Sequence, residues 1–393
     1  MSLQLTPEFS LLCLATCPAP ADDIDALRRA VAATTDWPAV IQGARRNRVA
    51  PLLLASFQRN GASQVPPDVV AELRRQTLVS TANSLAKIPV LESLCEIFAQ
   101  AKIGFLILKG IPLSIQLYGE ATRRPADDID VLVSPEQFWQ ADLALTRSGY
   151  RRETEAPAAA HLDGYRKWVK DVRYIDERSR TVVELHHRLT ANPYLLDWPF
   201  DELWTDRTRV RAGATDVPVL PAGKLPLYLF THGANHGWER LRWLVDFAAV
   251  LPDAGAIEKL VDDANRVRLG PAILQALVLA HELLGLAVDS RHLEQARRNP
   301  AVRWLDFCLR LFHGRTLWRR RPRAKSWEWL WRFSICFFIY NLSLKADWRY
   351  RGYQCAAMWV HPADWDVVRL PAALFFLYPL IRPLTWIRRR LRH

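Results

Sequence analysis

Apolar residues in the first quarter of the chain recur at a spacing of three or four, which is typical of amphipathic helices. From residue 22 to about residue 60 this pattern is interrupted at Pro38 and Pro51, so we expect short helices joined by loops. From Pro66 to about Gln100 it continues without interruption and predicts one longer helix. The sequence therefore predicts a helical segment at the start of the chain, shaped as a lid or brace.

Short apolar runs of strand length replace the helical pattern in the next ninety residues. Ser134 and Pro135 have the residue types of a helix N-cap and first helical position, and they predict a helix that ends near Ser148. The other apolar runs predict a mixed sheet with helices on one side. The expected strands span residues 103–108, 129–133, 150–153, 165–175 and 181–185.

Helical periodicity returns after a connector that is rich in proline and tryptophan and contains one short predicted strand, residues 215–220. The helices expected beyond it span residues 225–250, 256–267, 271–286, 290–297 and 301–312. The predicted fold class is α+β, with a small mixed-sheet core flanked by an N-terminal helical segment and a C-terminal all-α domain. The corresponding boundaries are 1–101 (helical segment), 102–190 (core), 191–223 (connector), 224–314 (helical domain) and 315–393 (basic aromatic C-terminal region).

Composition and charge narrow the class of protein. Half of the 393 residues are hydrophobic, which argues against disorder, and a net charge of +12 fits an anionic partner such as a nucleotide, a nucleic acid or a membrane. Six cysteines without C-x-x-C spacing indicate free thiols in a reducing compartment. The N-terminus lacks a basic region ahead of its apolar residues. We therefore expect a cytoplasmic protein.

Two apolar and aromatic stretches near the C-terminus, residues 327–344 and 370–384, raise the question of a membrane. Arg332 and Asn341 interrupt the first, while three prolines and Arg382 interrupt the second. A spanning helix needs about 20 mostly apolar residues. Both stretches instead suit packing in the helical domain or peripheral contact with an anionic membrane at its inner face.

The strongest chemical signal lies between residues 103 and 133. An apolar strand ends in Lys109-Gly110, where glycine permits a tight turn, and a second strand opens with Asp128-Ile129-Asp130. Side chains alternate along a strand, so the two aspartates share one face. Like charges at that distance repel, and a pair that stays ionised needs a cation, for which Mg²⁺ is the natural candidate.

These residues resemble a known family. The pattern LKG…LYG…RRPADDIDVLV resembles the uncharacterised bacterial nucleotidyltransferases of the polymerase-β-like superfamily, and Glu184 in VVELHHRL matches their third carboxylate. Residues 231–247 resemble their helical signature, and LPAALFFLYPLIRPL resembles their C-terminal end. The chain departs from the wider superfamily at the turn, where Lys109-Gly110 replaces the usual Gly-Ser.

The resemblance implies a Mg²⁺-dependent enzyme that moves an NMP from an NTP to a hydroxyl acceptor. It implies two Mg²⁺ ions held by the catalytic residues Asp128, Asp130 and Glu184. The acceptor stays open among a glycan precursor, a small molecule and a protein. The residues expected to bind the nucleotide are Lys109, Gly110, Arg123 and Arg124.

Each assignment has a simpler structural alternative. The two aspartates also suit strand capping or pairing with Arg123 and Arg124. His232 and His236 have metal-ligand spacing, but no glutamate follows the first histidine, so packing or contact with the acceptor is favoured over zinc. His186 shares the face of Glu184 and is expected to contact the metal ligands rather than the metal itself.

Two further alternatives concern a helix pair and the whole protein. Arg242 and Asp246 are four residues apart on a predicted helix and are expected to form a structural ion pair. The rival function is a non-catalytic basic scaffold that binds a membrane surface or nucleic acid.

Overall fold

A seven-stranded mixed sheet organises the part of the chain that the computed structural model describes, residues 5–18, 24–60, 64–154, 167–313, 331–360, 364, 368, 370, 374 and 377–391. The strands are β1 (Phe105–Ile107), β2 (Asp128–Val133), β3 (Tyr150–Arg152), β4 (Asp171–Asp176), β5 (Val182–His186), β6 (Thr208–Ala212) and β7 (Thr215–Val219). Their order across the sheet is β3-β4-β5-β2-β1-β7-β6.

Strand β2 occupies the middle of this sheet and fixes its register. It runs antiparallel to β1 and parallel to β5, with Asp130 opposite Glu184 and Leu132 opposite His186. Strand β7 lies parallel to β1 on the other side, and the remaining neighbours are antiparallel. The pairing of β2 with β5 brings together two segments that are about fifty residues apart in sequence.

Helices before the sheet are α1 (Pro7–Thr16), α2 (Ile24–Ala33), α3 (Trp37–Asn47), α4 (Ala50–Arg59), α5 (Pro67–Leu85) and α6 (Ile88–Gln100). Helices between its strands are α7 (Ile111–Tyr118), α8 (Phe138–Arg147) and α9 (Phe200–Thr205). Helices after it are α10 (Leu225–Asn235), α11 (Leu241–Ala249), α12 (Ala254–Arg266), α13 (Gly270–Leu284), α14 (Ser290–Arg298), α15 (Pro300–His313), a π-helical turn (Trp331–Cys336), α16 (Phe337–Ser343), α17 (Trp348–Trp359) and α18 (Tyr378–Leu391). The predicted α+β class, with a mixed-sheet core and helices at both ends, is confirmed.

The two faces of the sheet differ in chemistry. Ile129, Val131 and Val133 on β2 pack with apolar side chains of α6 and α8 in one core. The alternate residues, Asp130 and Leu132, point to the opposite face, where Leu132 joins the larger core that is formed mainly by the N-terminal and C-terminal helices. The carboxylates therefore lie on the face that the helical domain covers.

Two predicted long helices are each broken in two. The helix expected to reach Gln100 stops at Leu85 and restarts at Ile88, because Pro89 lies in the first turn of α6 and lacks the N–H that a continuous helix would need. The helix expected over residues 225–250 breaks at Gly237 and Trp238, which have φ values of 59° and 51°. Both values are left-handed and end a right-handed helix.

Other differences are smaller. Ser134 accepts a hydrogen bond from the Gln137 N–H, and this turn delays α8 until Phe138. Helix α1 was not predicted, and β6 was missed inside the predicted connector, where it forms a hairpin with β7 at the edge of the sheet. None of the described helices is long and apolar enough to cross a bilayer. The basic run in residues 318–325 lies outside the described residues.

Candidate active site

Three side chains converge where β2 and β5 lie side by side. Asp130, Glu184 and His186 each direct one ligand atom into a space where these atoms lie within 4.8 Å of one another. His186 Nε2 is 3.2 Å from Asp130 Oδ1 and 3.5 Å from Glu184 Oε2. The side chain of Asp130 is only 1% exposed. Carboxylate and imidazole groups in this arrangement are able to hold a metal ion.

Cations from neighbouring elements balance the two carboxylates. Lys109 Nζ lies 3.1 Å from Asp130 Oδ1, and Arg173 Nε lies 3.4 Å from Glu184 Oε1. Burial by itself raises the pKa of Asp130, but Lys109 and His186 outweigh it, so the pKa lies well below its usual range. The pKa of Asp128 is raised instead, by burial and by the charges of Asp130 and Glu184.

The His186 ring is held between carboxylates. Its Nδ1 faces Asp171 Oδ2 at 3.6 Å, while Nε2 faces Asp130. Burial and Lys170 lower the pKa of His186, whereas the nearby carboxylates of Asp130, Glu184 and Asp171 raise it, with a net increase. Asp171 therefore lies on the Nδ1 side of the ring, and Nε2 faces the shared space.

Buried polar atoms at this point lack well-aligned partners. Both carboxylate oxygens of Asp130 and both ring nitrogens of His186 are buried without a hydrogen bond of good geometry, although Lys109 Nζ and His186 Nε2 lie 3.1 Å and 3.2 Å from Asp130 Oδ1. Buried polar atoms without well-aligned partners are rare in proteins. A divalent cation would satisfy them, so the residues present fit a metal ion.

A comparison with protein families gives this site a context. A model described as an uncharacterised nucleotidyltransferase matches residues 33–285, which is more than half of the chain. The chain belongs to this nucleotidyltransferase family. A search of curated proteins finds no match. The family match contains α3 to α6 and helices up to α13 as well as the sheet, so these helices are part of the nucleotidyltransferase unit.

The turn at Lys109-Gly110 has a specific geometry in this nucleotidyltransferase. Gly110 precedes the first residue of α7 with φ +76°, and an added Cβ would lie 3.6 Å from the carbonyl oxygen of Asp128. The space beside Gly110, which Lys87 and Asp128 help to enclose, measures only about 10 Å³. The turn therefore positions Lys109 against Asp130.

The two arginines before β2 lie in different environments. Arg124 is buried and donates from Nε to Asp246 Oδ2 at 2.8 Å, while Arg123 pairs with Glu120 at the surface. The predicted Arg242–Asp246 ion pair is wrong, because Asp246 instead binds Arg124 and Arg242 Nη1 donates to the carbonyl oxygen of Pro125 at 2.6 Å. Nucleotide binding by Arg123 and Arg124 stays a prediction.

The two histidines of α10 and its C-cap lie near the site without joining the metal-capable group. The His232 and His236 rings are 4.9 Å apart, and His236 lies 4.9 Å from the Trp243 ring. His236 reaches the surface, yet the protein around it and the charge of Lys109 lower its pKa to about 4. Burial and the charge of Lys109 hold the pKa of His232 well below its usual value. Both rings are neutral at pH 7, as suits packing or acceptor contact.

Sequence reasoning gave His186 only a supporting role and did not assign Asp171 to the site. Alternation along β5 already placed His186 on the face of Glu184, which was the available signal. Asp171 had no such signal, because its pairing with His186 depends on the register of β4 against β5. Asp128 lies two residues nearer the start of β2 than Asp130, opposite Val182, and is not one of the three converging residues.

Proposed function

We propose that this nucleotidyltransferase moves an NMP from an NTP to a hydroxyl acceptor with Mg²⁺ as the metal: the acceptor oxygen bonds to the α-phosphorus, the α–β phosphoanhydride bond breaks, and pyrophosphate leaves. The observation that carries the proposal is the convergence of Asp130, Glu184 and His186, whose buried atoms are partly unpartnered, within a chain of this family. Such a group is costly to bury without a cation and stable with one.

Each residue has a role in this proposal. Asp130 and Glu184 would hold a Mg²⁺ ion through carboxylate oxygens, which this ion prefers, and His186 would position these carboxylates. Asp128 is adjacent as the expected further carboxylate if two ions bind. A bound Mg²⁺ supplies charge stabilisation at the α-phosphate and lowers the pKa of the acceptor hydroxyl. Lys109, 3.1 Å from Asp130, is within reach of a phosphate that approaches this carboxylate.

The acceptor has space on the same face of the sheet. A cavity of about 470 Å³ begins at Leu132, the next residue after Asp130 on that face. Apolar side chains line most of it, and its charged side chains are Lys167, Arg188 and Asp197, with a net positive charge. This supports an acceptor such as a glycan precursor or a small molecule with an anionic group, and a protein side chain is a further candidate.

The test is transfer of radiolabel from the four α-labelled NTPs to components of a cell extract, with Mg²⁺ and with EDTA. We expect one NTP to label an acceptor only when Mg²⁺ is present and Glu184 is intact. Labelling by Glu184→Gln equal to wild type would overturn the proposed site. The rival scaffold function predicts a different result, in which anionic lipid or nucleic acid raises the melting temperature and no NTP does.

A further inference from the structure

A second cavity, which we call the arginine pocket, lies between the N-terminal helices and the loop that leads into β2. Its volume is about 370 Å³. Helices α3, α4 and α5 form most of its wall, and residues 125–127 close it on the side of the sheet. The polar side chains that line it are Arg45, Arg48, Arg75, Gln76, Ser80, Asn83 and Asp127.

Positive charge dominates this lining. Arg48 pairs with Asp127, and Arg75 makes two 2.7 Å hydrogen bonds to Glu72, one turn earlier on α5. Arg45 has no carboxylate oxygen within 4 Å in the described part of the chain, and its side chain is exposed. Two of the three guanidinium groups are thus paired with carboxylates, and Arg45 is the group in this lining that remains to bind phosphate oxygens, which arginine binds with paired hydrogen bonds.

The position of the arginine pocket connects it to the candidate active site. Asp127 lines the pocket and directly precedes Asp128 at the start of β2. Arg48 is close enough for the charge of Asp128 to raise its pKa, although burial and neighbouring arginines lower it overall. The arginine pocket therefore offers room and positive charge next to the start of β2.

We propose that the arginine pocket binds a phosphate-bearing group that takes part in the transfer reaction. The part that the bound phosphate takes in the reaction rests on the proposed function, whereas phosphate binding itself rests on the residues of the pocket. The phosphate comes either from the polyphosphate of the donor nucleotide or from a phosphorylated acceptor. In both cases Arg45, which has no carboxylate oxygen within 4 Å in the described part of the chain, supplies the charge that the ligand neutralises.

The test uses inorganic pyrophosphate as the probe and isothermal titration calorimetry on the full chain. We expect Arg45→Ala to weaken pyrophosphate binding about tenfold or more, because the variant loses one charge-assisted hydrogen-bond contact to the ligand. Arg74→Ala is the matched control, because Arg74 is exposed on α5 and removes the same charge outside the pocket lining. Both variants should keep the wild-type melting temperature.

Equal pyrophosphate affinity in Arg45→Ala and Arg74→Ala would overturn the proposal, as would no binding to the wild type. A non-hydrolysable NTP analogue that displaces pyrophosphate identifies the donor as the source. If the NTP analogue and pyrophosphate bind at the same time, and glycerol 3-phosphate displaces the pyrophosphate, the source of the phosphate is a phosphorylated acceptor.

These binding measurements need no turnover, so they separate the two proposals. If Arg45→Ala loses pyrophosphate and no nucleotide transfer is found, the pocket stands and the proposed function fails. If transfer is found and Arg45→Ala keeps wild-type pyrophosphate affinity and KM, the pocket fails alone.

Discussion

The buried ion pair between Arg124 and Asp246 connects the loop before β2 to helix α11, and its removal offers a quantitative test. The two side chains are 4% and 2% exposed, and their N–O distance is 2.8 Å. Tyr118 Oη donates a second hydrogen bond to Asp246 at 3.2 Å. Burial lowers the pKa of Arg124, but Asp246 more than compensates and raises it overall. Without Asp246, Arg124 would be a buried charge with no counter-ion.

Arg124→Met leaves Asp246 buried without its cation, and Asp246→Leu leaves Arg124 without its anion. Breaking a buried pair from one side costs about 3–5 kcal/mol. Loss of the Tyr118 hydrogen bond adds about 1 kcal/mol in the Asp246 variant. The double variant replaces the pair with apolar groups, so we expect it to lose about 2–3 kcal/mol less than the sum of the single losses.

Urea unfolding followed by both tryptophan fluorescence and far-UV circular dichroism measures these free energies, provided that the two transitions coincide. The control is Arg123→Ala, which breaks the exposed pair with Glu120 and should change the free energy of unfolding by less than about 1 kcal/mol. A loss below about 1 kcal/mol in Arg124→Met, or strict additivity in the double variant, would refute the reasoning.

Four further predictions concern the site and the surface. Glu184→Gln should abolish transfer while the fold and most NTP affinity persist; wild-type turnover at saturating Mg²⁺ would make Glu184 structural. Lys109→Ala should raise KM for the NTP more than it lowers kcat, since a cation beside Asp130 contacts bound phosphate in ground and transition states alike, and steady-state kinetics would contradict this if kcat alone fell. The pKa of His236 is lowered from 6.5 to about 4 in the folded state, so the unfolded state takes up the proton at a higher pH. The free energy of unfolding should therefore fall as the pH drops from about 6.5 to 4, and urea titrations of His236→Gln should show a flatter dependence of this free energy on pH. The region 327–393 should bind anionic liposomes at low salt, and its absence from the pellet in co-sedimentation would exclude this contact.

Local patterns predicted the local features of this chain. Alternation on β2 and β5 was sufficient to put Asp130 on one face and His186 on the face of Glu184, because a strand has a strict period of two. The break between α10 and α11 was missed because the left-handed residue Trp238 has no sequence signal of its own. The break before α6 did have a signal, Pro89, which the uninterrupted apolar spacing outweighed. Contacts between residues distant in sequence were also missed. The i,i+4 spacing on one helix predicted Arg242 as the partner of Asp246, whereas in the fold Asp246 binds Arg124, which is 122 residues away in sequence.

The parallel pairing of β1 with β7 has a consequence for synthesis on the ribosome. Ile107 pairs with Val219, so β1 keeps one unpaired edge until more than a hundred later residues have emerged. Open strand edges recruit other chains, and contacts between distant segments form slowly. A nascent chain that pauses before β7 is made therefore exposes the unpaired edge of β1 next to β2. A chaperone that binds the chain during this pause would protect that edge from pairing with other chains.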